Sequence, residues 1–260
     1  MHEKSCNNLP SRRNFLKTAG AGAAGIAGLT AVSRSCSPTE TSPGEYADFF
    51  AQGDVVLFQG DSITDAGRNR NKQQANAPDA LGSGYVMLTA SELLGRLPGK
   101  DLNIYNRGIS GNKVYQLAER WQPDCIDLEP DVLSILIGVN DYWHMREGRY
   151  DGTPQVYAND FRSLLERTRA ALPDVKLVIC QPFILTETRA VDESWVEPFR
   201  AYQDLAAGIA NSFDATWVPF QEAFNNALSL APATYWAGDG VHPSVAGAEL
   251  MARTWLNALK

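Results

Sequence analysis

The chain has 260 residues, of which 44% are hydrophobic and 20% charged, with a formal net charge of -7. This is ordinary globular composition, long enough to bury one sizeable core. The charge is uneven: residues 1–36 carry a net +4 and leave -11 for residues 37–260, an acidic body that repels phosphate backbones and excludes a general nucleic-acid role.

The first 36 residues read as an address. The basic run Ser11-Arg12-Arg13-Asn14-Phe15-Leu16-Lys17 precedes an uncharged stretch from Ala19 to Val32, the layout of a secretory signal. That stretch falls short of the ~20 residues a membrane-spanning helix needs. Paired arginines before Phe-Leu-Lys resemble the twin-arginine signal that exports folded proteins. Two ends of this leader stay open. Cys36 is the position of a lipidated first residue, although Ser33 stands where lipoprotein signals carry an apolar side chain. The other route is peptidase cleavage after Ala31-Val32-Ser33. A polar tether, residues 37–46, leads into the body, residues 47–260, with a periplasmic or cell-surface location as the expectation.

In the body, strand-like and helix-like segments alternate. Asp54–Phe58 is a short apolar run between glycines, the pattern of a strand buried on both faces. Tyr85–Gly95 is helical and ends before Pro98. Leu102–Asn106 is the second strand, and Lys113–Trp121 a helix closed by Pro123. Val132–Ile137, the most apolar run, is the third strand and the expected sheet centre. Gln155–Leu172 is a long helix, Val175–Cys180 the fourth strand, Val196–Phe213 a helix, Thr216–Pro219 a short fifth strand, and Val245–Leu259 the last helix. The alternation predicts right-handed crossovers and one α/β domain with a parallel sheet covered on both faces. Cys125 and Cys180, the two cysteines outside the leader, make no disulfide framework or zinc site. Cys180 closes a buried run and reads as core, and a single Cys125–Cys180 bridge is the other reading.

Ligands of such sheets sit beyond the carboxyl ends of the strands. Gly60-Asp61-Ser62-Ile63-Thr64 follows strand one; Ser62 there suits a nucleophile, although a lone serine after a strand is usually a helix cap, and the Gly-x-Ser-x-Gly elbow is lacking. Outside the leader the chain has only His144 and His242. His242 lies in Asp239-Gly240-Val241-His242-Pro243, where a carboxylate three residues upstream can fold back to orient an imidazole acting as base. Asn106–Asn112 follows strand two, and its glycines allow a backbone N–H to approach a substrate closely. Gly138-Val139-Asn140-Asp141 follows strand three and supplies a side-chain amide, so the two loops suit an oxyanion hole. Ser110 reads as support for its turn, and His144 as a cleft residue rather than the base. Asp61 and Asp141 are expected to hydrogen-bond the loops that hold their neighbours.

Together, Gly60-Asp61-Ser62-Ile63, the Gly108–Gly111 turn, Gly138-Val139-Asn140-Asp141 and Asp239-x-x-His242 resemble the four sequence blocks of the SGNH/GDSL hydrolase family, in the family's order. The resemblance implies a flavodoxin-like three-layer α/β/α sandwich with a five-stranded parallel sheet, and ester hydrolysis without metal or other cofactor. It implies Ser62 as nucleophile, His242 as base and Asp239 as orienting acid, with the Ser62 and Gly111 amides and the Asn140 side chain as oxyanion donors.

The substrate is less plainly written. Residues 66–84 form a long polar segment, a poor lining for an acyl-chain groove. Arg68 within it, Trp143 and His144 beyond Asn140, and Trp236 before Asp239 are the candidate substrate contacts. Aromatic side chains with polar neighbours suit sugar rings, so a carbohydrate O-acetylesterase is the first expectation. A lipid-directed esterase or lysophospholipase is the second. An exported carbohydrate-binding protein without chemistry is the reading from another class.

Overall fold

The structure, a computed structural model, describes residues 46–260. The predicted export signal, Cys36 and all of the tether except Tyr46 lie outside the described residues.

Strand β1 (Val55–Gly60) is followed by a one-turn α1 (Ser62–Asp65), α2 (Pro78–Leu81) and α3 (Tyr85–Arg96). After β2 (Asn103–Asn106) come α4 (Val114–Glu119) and α5 (Trp121–Asp124), and after β3 (Val132–Leu136) come α6 (Val139–Arg146) and α7 (Pro154–Ala171). β4 (Lys176–Cys180) leads to α8 (Val196–Ser212), and β5 (Thr216–Val218) to α9 (Phe220–Ala227), α10 (Ala233–Trp236) and α11 (Val245–Asn257). The strands form one parallel sheet in the order β2-β1-β3-β4-β5, with helices on both faces. The fold is a flavodoxin-like α/β/α sandwich.

β3 is central because every one of its side chains can be buried: Val132, Leu133, Ile135 and Leu136 are apolar, and the fifth, Ser134, finds a partner. Ser134 pairs in register between Phe58 and Val178. Its hydroxyl accepts the indole N–H of Trp255 in α11 at 2.9 Å, which satisfies a polar group that would otherwise be costly there. α11 packs on α3 and α9, while α7 packs on α4 and α8. In the latter layer Trp121 donates to Thr168 at 2.9 Å.

Three differences from the predicted elements have physical causes. The helix predicted over 113–121 breaks at Arg120, and Pro123 sits inside α5 rather than beyond its end. As third residue of that short helix, Pro123 lacks only an N–H that has no intrahelical partner there. The chain also forms α6 directly after Gly138 and α9 after Pro219, where no helix was expected. Finally, Cys125 at the end of α5 and Cys180 at the end of β4 are both free and buried, so the bridge does not form. Burial pushes each thiol up to about 12.

The connection from β1 goes outward to β2, and the next passes back across β1 to β3. The loops leaving β1 and β3 therefore part at the centre of the sheet, and the crevice between them is where such folds bind ligands.

Candidate active site

At the end of β1 the side chain of Asp61 accepts the Ile63 amide at 3.0 Å and so caps α1. Ile63, Thr64 and Asp65 turn inward, and Ser62, the first residue of the helix, is left half-buried at the crevice. On the other side, Ser244 caps α11 by accepting the Gly247 amide at 3.2 Å. The loop before it is drawn tight. Gly240 has φ +89°, and a Cβ there would lie 2.3 Å from the Leu185 carbonyl oxygen, so only glycine fits this turn.

That turn folds Asp239 back on His242. Asp239 Oδ1 accepts the amides of Val241 at 3.0 Å and His242 at 2.8 Å. Its Oδ2 lies 2.7 Å from His242 Nδ1, and His242 Nε2 lies 2.8 Å from Ser62 Oγ. A carboxylate can only accept, so the imidazole proton belongs on Nδ1 and leaves Nε2 to accept from the serine hydroxyl. Partial burial pushes the Asp239 carboxyl up, but the hydrogen bonds from the His242 ring and from the two backbone amides outweigh it, holding the group below the usual carboxylate range. A row of this kind can take a proton from a hydroxyl and return it.

The loop after β2 and the start of α6 meet beside this row. Gly111 takes φ +84°, and Asn140, 5% exposed, donates from Nδ2 to the Asn112 carbonyl at 3.3 Å. The two expected oxyanion loops are thus in contact. Gly108 has a different job from the one its sequence suggests. A Cβ there would meet the Asp65 amide nitrogen at 2.4 Å, so Gly108 lets the loop lie against α1 and not against a substrate.

A frame that the motifs do not reveal holds these loops. Asp65 accepts the Ser110 amide at 2.9 Å and pairs with Arg70. Asn106 donates to the carbonyls of Thr64 at 2.6 Å and Leu81 at 2.9 Å, and accepts the Gly108 amide at 2.9 Å. Arg120 donates to Asn112 Oδ1 at 2.9 Å, to the Arg107 carbonyl at 2.9 Å and to Asp124 at 2.8 Å. Asp61 and Asp141 are also buried in this frame, and burial pushes each carboxyl up to about 7. Asp141 accepts the Val114 amide at 3.2 Å.

Of the candidate substrate contacts, Arg68 is misplaced by the sequence reading. It is buried behind the oxyanion loop and donates from Nε to the Gly108 carbonyl at 2.8 Å, so it braces the site instead of facing it. Trp143 packs edge-on against Trp195 and donates to Glu147 at 2.7 Å. His144 is half-buried, with Nδ1 3.1 Å from the Lys113 ammonium. Trp236 is 9% exposed, and its indole N–H is spent on the Ala231 carbonyl at 3.1 Å. Neither His144 nor the tryptophans join the Ser62–His242–Asp239 row. Ser62 and His242 instead open onto a cavity of about 260 Å³ whose walls include Ile63, Ala66, Ser83 and Tyr85. Ala66 and Ser83 come from the long polar segment after α1.

A hydrogen-bonded serine, histidine and aspartate at the carboxyl end of a parallel, doubly covered sheet puts the chain among carboxylic ester hydrolases. It belongs to the GDSL-like lipase/acylhydrolase family, whose sequence model matches residues 58–250. Residues 10–28 match the twin-arginine translocation signal sequence. The chain is 35% identical over 216 residues to an acetylxylan esterase of Geobacillus stearothermophilus, covering 80% of this chain and 94% of that one. The structure of a GDSL-like lipase from Parabacteroides merdae superposes with a TM-score of 0.80 at 50% identity, over 81% of this chain and 98% of the other. An acetyl-xylooligosaccharide esterase structure from the Geobacillus organism gives 0.74 at 32% identity, over 81% and 95%.

Proposed function

We propose that the chain is an exported serine esterase that removes small acyl groups, acetyl foremost, from carbohydrate esters. The observation that carries the chemistry is the series Ser62 Oγ, His242 Nε2, His242 Nδ1 and Asp239 Oδ2, joined at 2.8 and 2.7 Å. His242 takes the Ser62 proton as the hydroxyl attacks the ester carbonyl, and Asp239 holds the imidazole and its positive charge. The amides of Ser62 and Gly111 and the Asn140 side chain receive the oxyanion. The protonated His242 gives its proton to the departing alcohol, and water then repeats the sequence on the acyl-enzyme to release the acid.

The acetylxylan esterase relative supports this assignment in a second way. Its catalytic mutants replace a serine and an aspartate 176 positions apart, and Ser62 and Asp239 lie 177 apart. The same relative supports acetyl as the acyl group and a glycan as the alcohol. For the leader, the proposed layout is an export signal over 1–36, a tether over 37–46 and the hydrolase domain over 47–260. A 30% match over 131 residues to an uncharacterized lipoprotein of Bacillus subtilis favours lipidation of Cys36, which would hold the enzyme at the outer side of a membrane.

The test is hydrolysis of p-nitrophenyl acetate, octanoate and palmitate, followed by acetate release from acetylated xylan. Acetate preferred by at least tenfold and release from the polymer are the expected results; preference for palmitate would make the enzyme lipid-directed. Ser62→Ala should lose activity by roughly 10⁴-fold or more with an unchanged circular dichroism spectrum. Near-native turnover by that variant would overturn the mechanism.

A further inference from the structure

An ester that deacylates at Ser62 has two ends, an acyl group and an alcohol, and the cavity beside Ser62 need hold only one of them. The other must leave the Ser62–His242 pair along the protein surface. Ser244 and Val245 form one wall of the catalytic cavity and, on their other side, one wall of a second, more open groove of about 640 Å³. Tyr235, Trp236, Ala246, Glu249 and Arg253 complete this groove. Its volume falls in the range of small-ligand clefts, roughly 300–1,000 Å³. Val245, 84% exposed at the start of α11, is the ridge between the two.

The chemistry of the groove is that of a sugar subsite. Tyr235 is 55% exposed, an unusual exposure for a large ring. Trp236 meets it edge-on at 5.0 Å and 89°, which fixes the orientation of the tyrosine from behind. The Tyr235 hydroxyl has no hydrogen-bond partner among the described residues. Across the groove, Glu249 and Arg253 face each other at 3.6 Å with both side chains more than half exposed. Such a pair is loosely held and can open to offer acceptors and donors to hydroxyl groups. An aromatic face beside movable charged side chains fits a pyranose ring, with its apolar face and equatorial hydroxyls, better than it fits an acyl chain.

We infer that this groove is a saccharide-binding subsite for a sugar unit next to the acylated one. The inference rests on the carbohydrate reading above and adds to it a direction for the polymer, across Val245 and onto Tyr235. It also moves the aromatic contact from Trp236 to Tyr235, because the indole is buried and its N–H engaged.

The test compares two substrates in the full-length protein. Tyr235→Ala should lower kcat/KM for acetylated xylo-oligosaccharides about tenfold more than for ethyl acetate, through KM rather than kcat, and Tyr235→Phe should restore most of the loss. In the Ser62→Ala background, Tyr235→Ala should weaken binding of unacetylated xylohexaose about tenfold by calorimetry. Equal losses on both esters overturn the subsite, as does a change of sedimentation coefficient on Tyr235→Ala, which would make the groove a contact between copies. If the unaltered enzyme cleaves ethyl acetate but no acetylated oligosaccharide, the carbohydrate reading itself has failed; if it cleaves both and Tyr235→Ala discriminates neither, only the groove assignment has.

Discussion

The serine side and the histidine side of the site are built in opposite ways. Ser62 and the loops beside it stand on a buried lattice in which Asp65, Asn106 and Arg120 each make two or more hydrogen bonds. His242 stands on a short turn, its side chain 44% exposed, and one carboxylate supplies its ring contact and its backbone contact together. Interactions on the serine side are shared with the fold, so damage there should appear first in stability. On the histidine side, one group carries orientation and charge at once, so damage should appear in rate.

Substitution at Asp239 is the sharpest way to test that contrast. Asp239→Asn keeps the size of the group but removes its charge and lets an amide face Nδ1, so kcat should fall by about 10⁴, with a melting temperature within a few degrees of the parent. A loss below tenfold would mean that the turn alone orients the imidazole. Asn140→Ala comes next, because its amide belongs to both sides of the comparison. The expected loss in kcat is roughly 10²–10³, and an unchanged rate would remove it from the oxyanion hole. Arg120→Ala should show the reverse profile. It deprives Asn112, Asp124 and the Arg107 carbonyl of a donor, and chemical denaturation should register roughly 2–3 kcal/mol while kcat falls less than tenfold. A large rate loss without destabilisation would refute the division of labour.

A pH dependence distinguishes Asp61 and Asp141 from the rest of the lattice. The unfolded chain releases these protons near pH 4, whereas burial delays release in the folded chain to about 7. The folded state therefore holds more protons across that window, and stability should decline as pH rises from about 4 to 7. Asp61→Asn combined with Asp141→Asn should flatten the decline in a melting series; an unaltered slope would show that burial of these groups does not govern it.

The strands are legible in the sequence because a central parallel strand must be apolar on both faces, and runs such as Val132–Leu136 have few other uses. The histidine was legible through scarcity, with only His144 and His242 outside the leader; each has an aspartate three residues upstream, and Gly240, which lets Asp239 fold back, sets His242 apart. The lattice was not legible. Arg68 in a polar loop looks like any exposed cation, and nothing local says that its partner is the Gly108 carbonyl, 40 positions away. α6 is hidden because Asn140 and Asp141 in its first turn read as a loop of a site, although Val139, Tyr142 and Trp143 recur at helical spacing. α9 did carry a signal, since Phe220, Phe224 and Ala227 recur at helical spacing and are all buried.

The two thiols sealed at the ends of α5 and β4 bear on where this body can acquire its final form. Neither is ionised at neutral pH, neither reaches solvent, and no cross-link joins them, so the native state asks nothing of an oxidant. Such a body can be completed in a reducing cytosol and carried, already finished, through a pore that accepts folded cargo. It would then meet an oxidising exterior with neither of these two thiols on offer.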